Sequence, residues 1–418
     1  MKKLRDYQVE VANKAAEIIK EKKLVAIFAM VRVGKTLMSL QTCENINAKD
    51  VLFITKKKAI SSIEEDYNSF NFSFNITTTN RESLHKIESN NFDVIIIDEV
   101  HGYTSYPKPS KYYKDIKKRF GNVSMIFLSG TPTPESYSQF YHLFSLSNHH
   151  SFSRYTNFYK WAKDYVNVKQ KRLGYGMVND YSEAKKESFF HLVEDYIITF
   201  TQEEAGFTSS VEEIILEVEM KPIITKIISK LCKDFIVTSS TSGKIILADT
   251  AVKLQQKVHQ LSSGTVKYED GTTQIIDDSK ALFIKERFKD NKIAIFYNFI
   301  AELEMLKNVI GSKLTTDLEE FNNTDKWIAL QVISGREGVS LAKADALIMF
   351  NIQFSAVSYF QSKERLATIN RLNNKVYWIF SKGKDSIERK IYDVVKKKRN
   401  FTTSIFVKNY NIDKNGLK

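Results

Sequence analysis

In the first third of the chain, short runs of consecutive apolar residues alternate with segments whose apolar positions recur at helical spacing. The runs are LVAIFAM, DVLFIT, FDVIIIDE and VSMIFLSG. Strands that are buried on both faces of a parallel sheet have this uniformly apolar character. The segments between them, such as LMSLQTCENIN and AISSIEEDYNSF, predict helices. This alternation predicts a doubly wound α/β domain over residues 1–150.

The pattern changes over residues 151–212, which are rich in aromatic and basic side chains. Within them, VKQKRLGYGMVNDYS alternates around two glycines, which predicts a β-hairpin. A second series of apolar runs follows, including EEIILEVEM, KIAIFYNF, ALIMFN and KVYWIFS. Residues 213–418 are therefore predicted to form a second α/β domain. The expected fold class is α/β, with two tandem doubly wound parallel-sheet domains and a small hairpin-containing insertion between them.

Composition and charge narrow the class of partner. The 418 residues carry a net charge of +13, which favours a polyanion, with nucleic acid as the first candidate. A coding bias toward lysine, asparagine and isoleucine is the alternative source of this charge. Cys43 and Cys232 lie far apart in the sequence and predict buried thiols in a reducing compartment. No apolar run approaches the length of a membrane span and no signal peptide is recognised, so a cytoplasmic protein without membrane contact is expected.

The segment AIFAMVRVGKTLMSL contains the only Gly-Lys-Thr of the chain. In a phosphate-binding loop, backbone N–H groups at a helix N-terminus surround the phosphates, the lysine reaches the terminal phosphates, and the hydroxyl ligates Mg²⁺. Gly34, Lys35 and Thr36 supply these groups. Ala29 occupies the position of the usual first glycine, which changes the turn without removing a phosphate contact. Taken alone, the tripeptide is equally compatible with an ordinary strand–turn–helix.

Two further segments place polar side chains at the ends of buried strands. VIIIDEVHGY ends in an acidic pair, in which Asp98 would hold Mg²⁺ and Glu99 would accept a proton from the attacking water. Two exposed carboxylates that cap a strand are the alternative. IFLSGTPTPES runs from a strand into a turn of small hydroxyl residues. Such a turn can contact both the acidic pair and a bound nucleic-acid backbone.

Taken in order, LRDYQ, VRVGKT, DEVH and SGTPTP resemble the first motor domain of superfamily-2 helicases and translocases. More narrowly, they resemble the Swi/Snf-like branch, in the short form that phages and other viruses encode. KIAIFYNFIAELEML, ISGREGVSLAKADALIMFN and FSAVSYFQSKERLATINR are similar to the later motifs of that branch. The resemblance implies two RecA-like lobes and an ATP-dependent DNA helicase or translocase that remodels branched DNA. It also implies ATP and Mg²⁺ as cofactors.

The resemblance further implies roles for individual residues. The nucleotide-binding residues would be Arg5, Gln8, Val33, Gly34, Lys35, Thr36, Gln361 and Arg365. The catalytic residues would be Lys35, Asp98, Glu99 and Arg365, with Thr36 and Asp98 at the metal. Gln8 matches the glutamine that recognises adenine, and Arg365 matches an arginine finger. His101 and Thr131 match residues that link hydrolysis to nucleic-acid contact.

Nucleic-acid contacts are expected at Thr55, Lys56 and Thr131, and near residues 334–336. The middle segment resembles the inter-lobe region of annealing and fork-remodelling helicases, in which a basic hairpin engages branched DNA. In this chain the hairpin would offer phosphate contacts and one stacking ring, from Lys169, Lys171, Arg172 and Tyr175. A surface hairpin with solvated lysines is the alternative. Contacts to backbone phosphates predict little sequence preference, strong weakening by salt, and binding to forked, branched or single-stranded DNA. The assembly is left open, with a monomer as one option.

The later motifs depart from the family pattern. The usual Trp, Pro and Asn are replaced by Phe354, Ala356 and Ser340. The second arginine of the arginine-finger pattern falls on Thr368. Three interpretations follow: Arg365 acts alone, Arg371 takes over part of the role, or the motor is slow or inactive. Activity is expected because the four catalytic residues named above are retained.

The same motifs are compatible with other functions. An RNA helicase of the Asp-Glu-x-His type would use the same motifs, although the Swi/Snf-like second half favours DNA. A restriction-type translocase would need a partner subunit, and no segment is left over that would suit a chromatin remodeller. A hydrolysis-poor, ATP-responsive DNA-binding scaffold is the non-enzymatic alternative, and it is motivated by Thr368.

Overall fold

The computed structural model of the chain describes residues 3–30, 32–173, 176–206, 211–240, 242–332, 341, 343–355, 359, 374–383, 386–397 and 409–410. Contacts divide the chain into two compact units, Met1–Phe207 and Thr208–Lys418. Within the described ranges, no helix has the length and apolar character needed to cross a membrane.

The first unit is built on a six-stranded parallel sheet with strand order β3-β2-β4-β5-β1-β8. Its helices and strands are α1 (Asp6–Lys22), β1 (Leu24–Ala29), α2 (Lys35–Asn45), β2 (Asp50–Thr55), α3 (Ile60–Phe70), β3 (Asn75–Asn80), β4 (Val94–Ile97), α4 (Lys111–Phe120), β5 (Ser124–Leu128), α5 (Gln139–Phe144), α6 (Phe158–Tyr165), β6 (Lys169–Leu173), β7 (Gly176–Asp180), α7 (Lys186–Phe189) and β8 (Ile197–Phe200). The central strand β4 is buried along its whole length. Helices cover both faces of the sheet, which explains why its strands are apolar without alternation.

The hairpin predicted around the two glycines is confirmed. β6 and β7 pair antiparallel, with Lys169 opposite Asp180 and Leu173 opposite Gly176. The division into three parts at residues 150 and 212 differs from the observed arrangement, in which residues 151–207 belong to the first unit. Two contacts explain this: β8 extends the sheet beside β1, and Phe189 packs against Phe140 with ring centroids 5.7 Å apart.

The second unit has its own six-stranded parallel sheet, with strand order β15-β16-β14-β17-β18-β9. Its helices and strands are β9 (Val211–Val218), α8 (Pro222–Asp234), β10 (Ile236–Thr238), β11 (Ile245–Leu247), α9 (Ala251–Ser262), β12 (Thr265–Lys267), β13 (Thr273–Ile275), α10 (Ser279–Arg287), β14 (Ile293–Tyr297), α11 (Ile300–Ile310), β15 (Leu314–Thr315), α12 (Leu318–Asn323), β16 (Trp327–Gln331), β17 (Ala346–Met349), β18 (Asn374–Ser381) and α13, which is Ile387–Val395. Two antiparallel pairs, β10–β11 and β12–β13, are inserted before the central strand β14. The predicted fold class, two tandem doubly wound parallel-sheet units, is confirmed.

Candidate active site

The loop after β1 has the geometry of a phosphate-binding turn. Gly34 precedes α2 with φ of 87°, in the left-handed region that glycine adopts without strain. A Cβ atom built on Gly34 would lie 2.1 Å from Nε2 of Gln8, so a side chain there would collide with it. Lys35 is the first residue of α2, and its Nζ donates to the carbonyl oxygens of Ala29 and Met30 at 3.0 and 3.2 Å. The lysine therefore lies over the loop.

The start of α1 contacts the same loop. The Oε1 atom of Gln8 accepts a hydrogen bond from the backbone N–H of Arg5 at 3.0 Å. Its Nε2 donates to the carbonyl oxygen of Val33 at 3.3 Å. The hydroxyl of Tyr7 donates to that same oxygen at 3.2 Å. The structure thus brings Arg5, Gln8, Val33 and Gly34 together, four of the residues expected to bind nucleotide.

The end of β8 supports the loop from the other side. The backbone N–H of Met30 donates to the carbonyl oxygen of Phe200 at 2.9 Å. The rings of Tyr7 and Phe200 are stacked, with centroids 5.1 Å apart and planes 17° apart. Sequence reasoning missed both residues as parts of the site. Tyr7 is adjacent to Gln8 in the sequence, and this could have indicated it, whereas the position of Phe200 depends on the pairing of β8 with β1.

The acidic pair lies directly after β4, at the carboxyl edge of the sheet. Asp98 Oδ2 accepts a hydrogen bond from the hydroxyl of Thr55 at 2.9 Å. Asp98 Oδ1 accepts from the backbone N–H of Glu99, also at 2.9 Å. Glu99 has φ of 48°, a conformation that is unfavourable for a residue with a side chain. Such strain recurs at functional sites, where the surrounding structure holds it in place.

Charges around the pair act differently on its two carboxyl groups. Burial, together with the neighbouring charge of Glu99, raises the pKa of Asp98, against the opposing effects of Thr55 and Lys35. Burial alone would also raise the pKa of Glu99, but His101, Lys35 and Lys56 outweigh it and lower that pKa. Lys35 therefore acts on both carboxylates, which places the phosphate loop and the acidic pair in one electrostatic environment.

A chain of polar contacts leads away from Glu99. Nδ1 of His101 lies 3.2 Å from Glu99 Oε2 and 3.2 Å from the hydroxyl oxygen of Ser129. That hydroxyl oxygen also accepts a hydrogen bond from the backbone N–H of Thr131 at 3.1 Å. Ser129 was not among the predicted site residues, although it stands in the predicted turn of small hydroxyl residues. The acidic pair and this turn are thus connected through His101 and Ser129.

The donor set suits a magnesium ion. Mg²⁺ prefers oxygen ligands and is usually held by one or two carboxylates together with water and phosphate oxygens. Asp98 and Thr36 provide a carboxylate and a hydroxyl. The described residues contain no cluster of three or more His, Cys, Asp or Glu side chains arranged for a metal. A site completed by nucleotide oxygens and water is compatible with that finding.

The expected nucleic-acid contacts have different surroundings. Thr55 is only 4% exposed and its hydroxyl donates to Asp98, so it is part of the acidic pair, and its contact with a bound strand stays a prediction. Nζ of Lys169 lies 2.6 Å from Glu183 Oε1 in an exposed ion pair. The side chains of Lys171 and Arg172 and the whole of Tyr175 lie outside the described residues.

Several residues predicted in the second half also fall outside the described ranges. They are residues 334–336, Ser340, Ala356, Gln361, Arg365, Thr368 and Arg371. Phe354 is described, and its ring lies against His259 with centroids 4.7 Å apart.

A lysine-bearing loop after β1 and an acidic pair after β4 are the arrangement that P-loop nucleotide hydrolases use. Residues 39–227 match the SNF2-related domain family. The match begins inside α2, beyond Lys35, and ends inside α8. The match covers less than half of the chain. No curated protein matches the chain.

Two solved structures from Sulfolobus solfataricus are similar in fold. One is the SWI2/SNF2 ATPase core in complex with dsDNA, with 15% sequence identity, a TM-score of 0.43, and coverage of 100% of this chain and 96% of that chain. The other is the SWI2/SNF2 ATPase core domain, with 16% identity, a TM-score of 0.43, and coverage of 97% and 90%. At these values the similarity transfers no function.

Proposed function

We propose that the protein is an ATP-dependent DNA translocase or helicase that remodels branched DNA during replication, recombination or repair. The observation that carries the proposal is the position of Lys35, whose charge acts on both Asp98 and Glu99. A phosphate-binding lysine, a metal-binding carboxylate and a candidate base therefore share one edge of one sheet. A cytoplasmic location, and a bacterial host cell if a phage encodes the protein, belong to the same proposal.

Nucleotide binding would change the hydrogen bonds of the lysine. Its present acceptors are the carbonyl oxygens of Ala29 and Met30. Phosphate oxygens would replace these neutral acceptors with negatively charged ones, which attract the lysine ammonium more strongly. The backbone N–H groups at the start of α2 would face the same phosphates. Gln8 and Arg5, beside Val33, would contact the adenine.

Hydrolysis would depend on the carboxylates. A bound Mg²⁺, held by Asp98 and Thr36, neutralises phosphate charge in such sites. Glu99 would accept a proton from the attacking water, and the charges around it keep it ionised at neutral pH. The contacts through His101 and Ser129 to Thr131 would couple this step to a nucleic-acid backbone at the turn. Arg365 and Gln361 are proposed, from their motif alone, to contact the γ-phosphate.

DNA is the proposed polyanion because of the net charge of +13 and the SNF2-related match. A basic hairpin supports a branched substrate. Hydrolysis-poor binding is the second candidate function, and the specific observation that favours it is Thr368 in place of the second arginine.

Steady-state ATPase assays without nucleic acid, and with single-stranded DNA, forked DNA or RNA, test the proposal. Stimulation is expected to be strongest with forked DNA and to be lost in Lys35→Ala. Lys14→Ala, an exposed position on α1, is the matched control and should behave as wild type. If RNA stimulated ATP turnover most strongly, the proposed substrate would be wrong, but the proposed motor activity would stand. Background turnover with every nucleic acid would favour the scaffold.

A further inference from the structure

Two tyrosines near the hairpin are unusually exposed. Tyr137 is 45% exposed and Tyr159 is 46% exposed. Tyr159 makes T-shaped contacts with Phe158 and Tyr181, with interplanar angles of 80° and 70°. Among the described residues, no aromatic ring stacks in parallel on Tyr159. We call Tyr137, Tyr159, Tyr181 and Lys186 the tyrosine platform.

The platform is held by buried polar contacts at the base of the hairpin. The hydroxyl of Ser136 donates to the carbonyl oxygen of Ser182 at 2.6 Å, and the hydroxyl of Ser138 donates to the carbonyl oxygen of Tyr181. Ser136 and Ser138 flank Tyr137, so these two bonds fix its backbone beside the chain that leaves β7. A ring on a rigid backbone loses little conformational freedom when a ligand covers it.

The same backbone connects the platform to the acidic pair. Tyr137 follows the turn that carries Ser129 and Thr131, and Ser129 contacts His101. The platform and the candidate hydrolysis site are therefore two ends of one polar segment. A strand on the platform would therefore be bound by the chain segment that continues from the turn proposed to respond to nucleic acid.

Charge around the platform favours an anionic ligand with flat groups. Nζ of Lys186 lies 5.4 Å from the ring centroid of Tyr137 and 4.3 Å from that of Phe190. Residues 158–190 contain seven Lys and Arg against four Asp and Glu, a surplus of three positive charges. Exposed aromatic rings beside cations are the combination that binds single-stranded nucleic acids, since each base offers a π-face and each nucleotide a phosphate.

We propose that the tyrosine platform binds the bases of a single strand by stacking on Tyr137 and Tyr159, beside the basic hairpin. The site rests on the proposed function, because it deepens nucleic-acid binding from phosphate contact to base contact. It predicts tolerance of base sequence, since stacking does not distinguish hydrogen-bonding edges.

The test compares two fluorescein-labelled oligonucleotides of equal length, about 16 nucleotides, which is within the range that one binding domain covers. One is oligo(dT) and the other has the same backbone without bases. Fluorescence anisotropy on the full chain should show oligo(dT) binding weakened by about thirty-fold or more for the Tyr137→Ala/Tyr159→Ala double variant, which loses two stacking rings. Binding to the abasic strand and the slope of affinity against salt should not change, because no phosphate contact is removed.

The double variant Tyr137→Phe/Tyr159→Phe should bind as wild type, because it retains both rings. Leu282→Ala, which shortens an apolar side chain that is 50% exposed on α10, is the control for loss of exposed apolar surface. If the alanine variant unfolds, ultraviolet cross-linking of an iodouracil-substituted strand to the wild-type protein should label Tyr137 or Tyr159. The proposal would be overturned if the alanine variant lost affinity equally for both strands or kept its affinity for oligo(dT). Cross-links only to residues other than Tyr137 and Tyr159 would also overturn it. If the wild type binds neither strand, the platform fails, whereas the proposed function fails only if forked DNA also does not stimulate ATP turnover.

Discussion

The two units share an architecture but differ in what stands at the carboxyl edge of their sheets. In the first unit, the residues after β1 and β4 include Lys35, Asp98 and Glu99. In the second unit, the described residues at the corresponding strand ends are the neutral amides Asn298 and Asn351, after β14 and β17. Ligands of doubly wound sheets bind at this edge. Both sheets therefore have such an edge, but among the described residues the candidate hydrolytic groups lie only at the edge in the first unit.

Each unit has a buried glutamate near this edge, Glu99 in the first unit and Glu302 in the second, and their surroundings differ. Glu302 accepts hydrogen bonds from the backbone N–H of Asn298 at 2.7 Å and from Nδ2 of Asn351 at 2.7 Å. Burial raises the pKa of Glu302, against these hydrogen bonds. Glu99 instead has cationic neighbours that lower its pKa. Neutral donors surround Glu302, whereas the cations around Glu99 favour the ionised form that the proposed proton acceptor needs.

The largest effect should come from making the same substitution in both carboxylates. Glu99→Gln should lower kcat for ATP by roughly 10²–10⁴-fold, because it removes the proton acceptor. Nucleotide binding, measured by fluorescence of an ATP analogue, should persist. Glu302→Gln is the matched control, and folded protein should turn over within a few-fold of wild type. Comparable losses of kcat in both variants would mean that the two edges do not differ in role.

The second-largest effect is expected on stability, from a buried ion pair in the second unit. Lys280 and Glu388 are fully buried and form an ion pair between α10 and α13. Lys280→Met should lower the unfolding free energy of the second unit by about 3–5 kcal/mol, because it leaves a buried carboxylate without its cation. Urea unfolding can be followed in a Trp161→Phe background, where the remaining tryptophans, Trp327 and Trp378, both lie in the second unit.

Lys289→Met is the control for that measurement. Lys289 pairs with Glu286 on the surface, with side chains 62% and 80% exposed, and such pairs contribute at most about 1 kcal/mol. If Lys280→Met and Lys289→Met lowered the unfolding free energy by similar amounts, the buried ion pair would contribute no more to the stability of the second unit than the exposed pair does.

Much of the fold could be predicted from local pattern alone. Runs such as VIII in β4 can be satisfied only by a strand covered on both faces, and helical spacing between them leaves few other topologies. The loop and the acidic pair were predictable for a related reason, since each is a contiguous motif at the end of a strand. The confirmed hairpin depended only on alternation around two glycines.

Features that depend on tertiary contact could not be predicted in this way. β8 lies far from β1 in the sequence, so nothing local shows that it completes the first sheet and places Phe200 on Tyr7. Thr55 follows the apolar run of β2. A threonine at this position could be exposed to a ligand or buried and bonded to Asp98, and the local sequence pattern is the same in both cases. The boundary at residue 150 failed to coincide with the observed division because the aromatic residues that follow pack back onto the first unit.

A smaller effect is expected from removing the hydrogen bond that Thr55 donates to Asp98. Thr55→Val removes the hydroxyl that donates to the carboxylate, and a hydrogen bond to a charged group contributes about 1.5–3 kcal/mol. The Mg²⁺ concentration for half-maximal ATPase activity should rise by roughly ten-fold or more, with kcat at saturating Mg²⁺ less affected.

Thr42→Val provides the matched control, because the Thr42 hydroxyl donates to the carbonyl oxygen of Met38 inside α2. It should leave the Mg²⁺ requirement unchanged. An unchanged requirement in Thr55→Val would separate Thr55 from the acidic pair and leave the nucleic-acid contact as its predicted role.

The smallest expected effect tests a property that the two units share. Burial lowers the pKa of His142 in the first unit and of His259 in the second to about 4. An unfolded histidine binds a proton below pH about 6.5, whereas these folded histidines stay neutral down to about 4. Stability should therefore be complete above pH about 6.5 and fall as the pH decreases toward 4, by roughly 1–2 kcal/mol per histidine at pH about 5.

His142→Phe should reduce this pH dependence in the first unit only, and part of it should remain because burial also lowers the pKa of His150 to about 4. The His142 ring packs parallel to Phe158, with planes 20° apart, so phenylalanine suits the position. Urea unfolding at several pH values, followed by Trp161 in a variant that lacks the other two tryptophans, measures the first unit. Unfolding followed by Trp327 and Trp378 measures the second, which should keep its dependence through His259. An unaltered slope in the first unit would show that His142 is not the group that titrates. A flattened slope in both would mean that the two units unfold as one cooperative body, so that their difference lies in the chemistry of their sheet edges and not in independent stability.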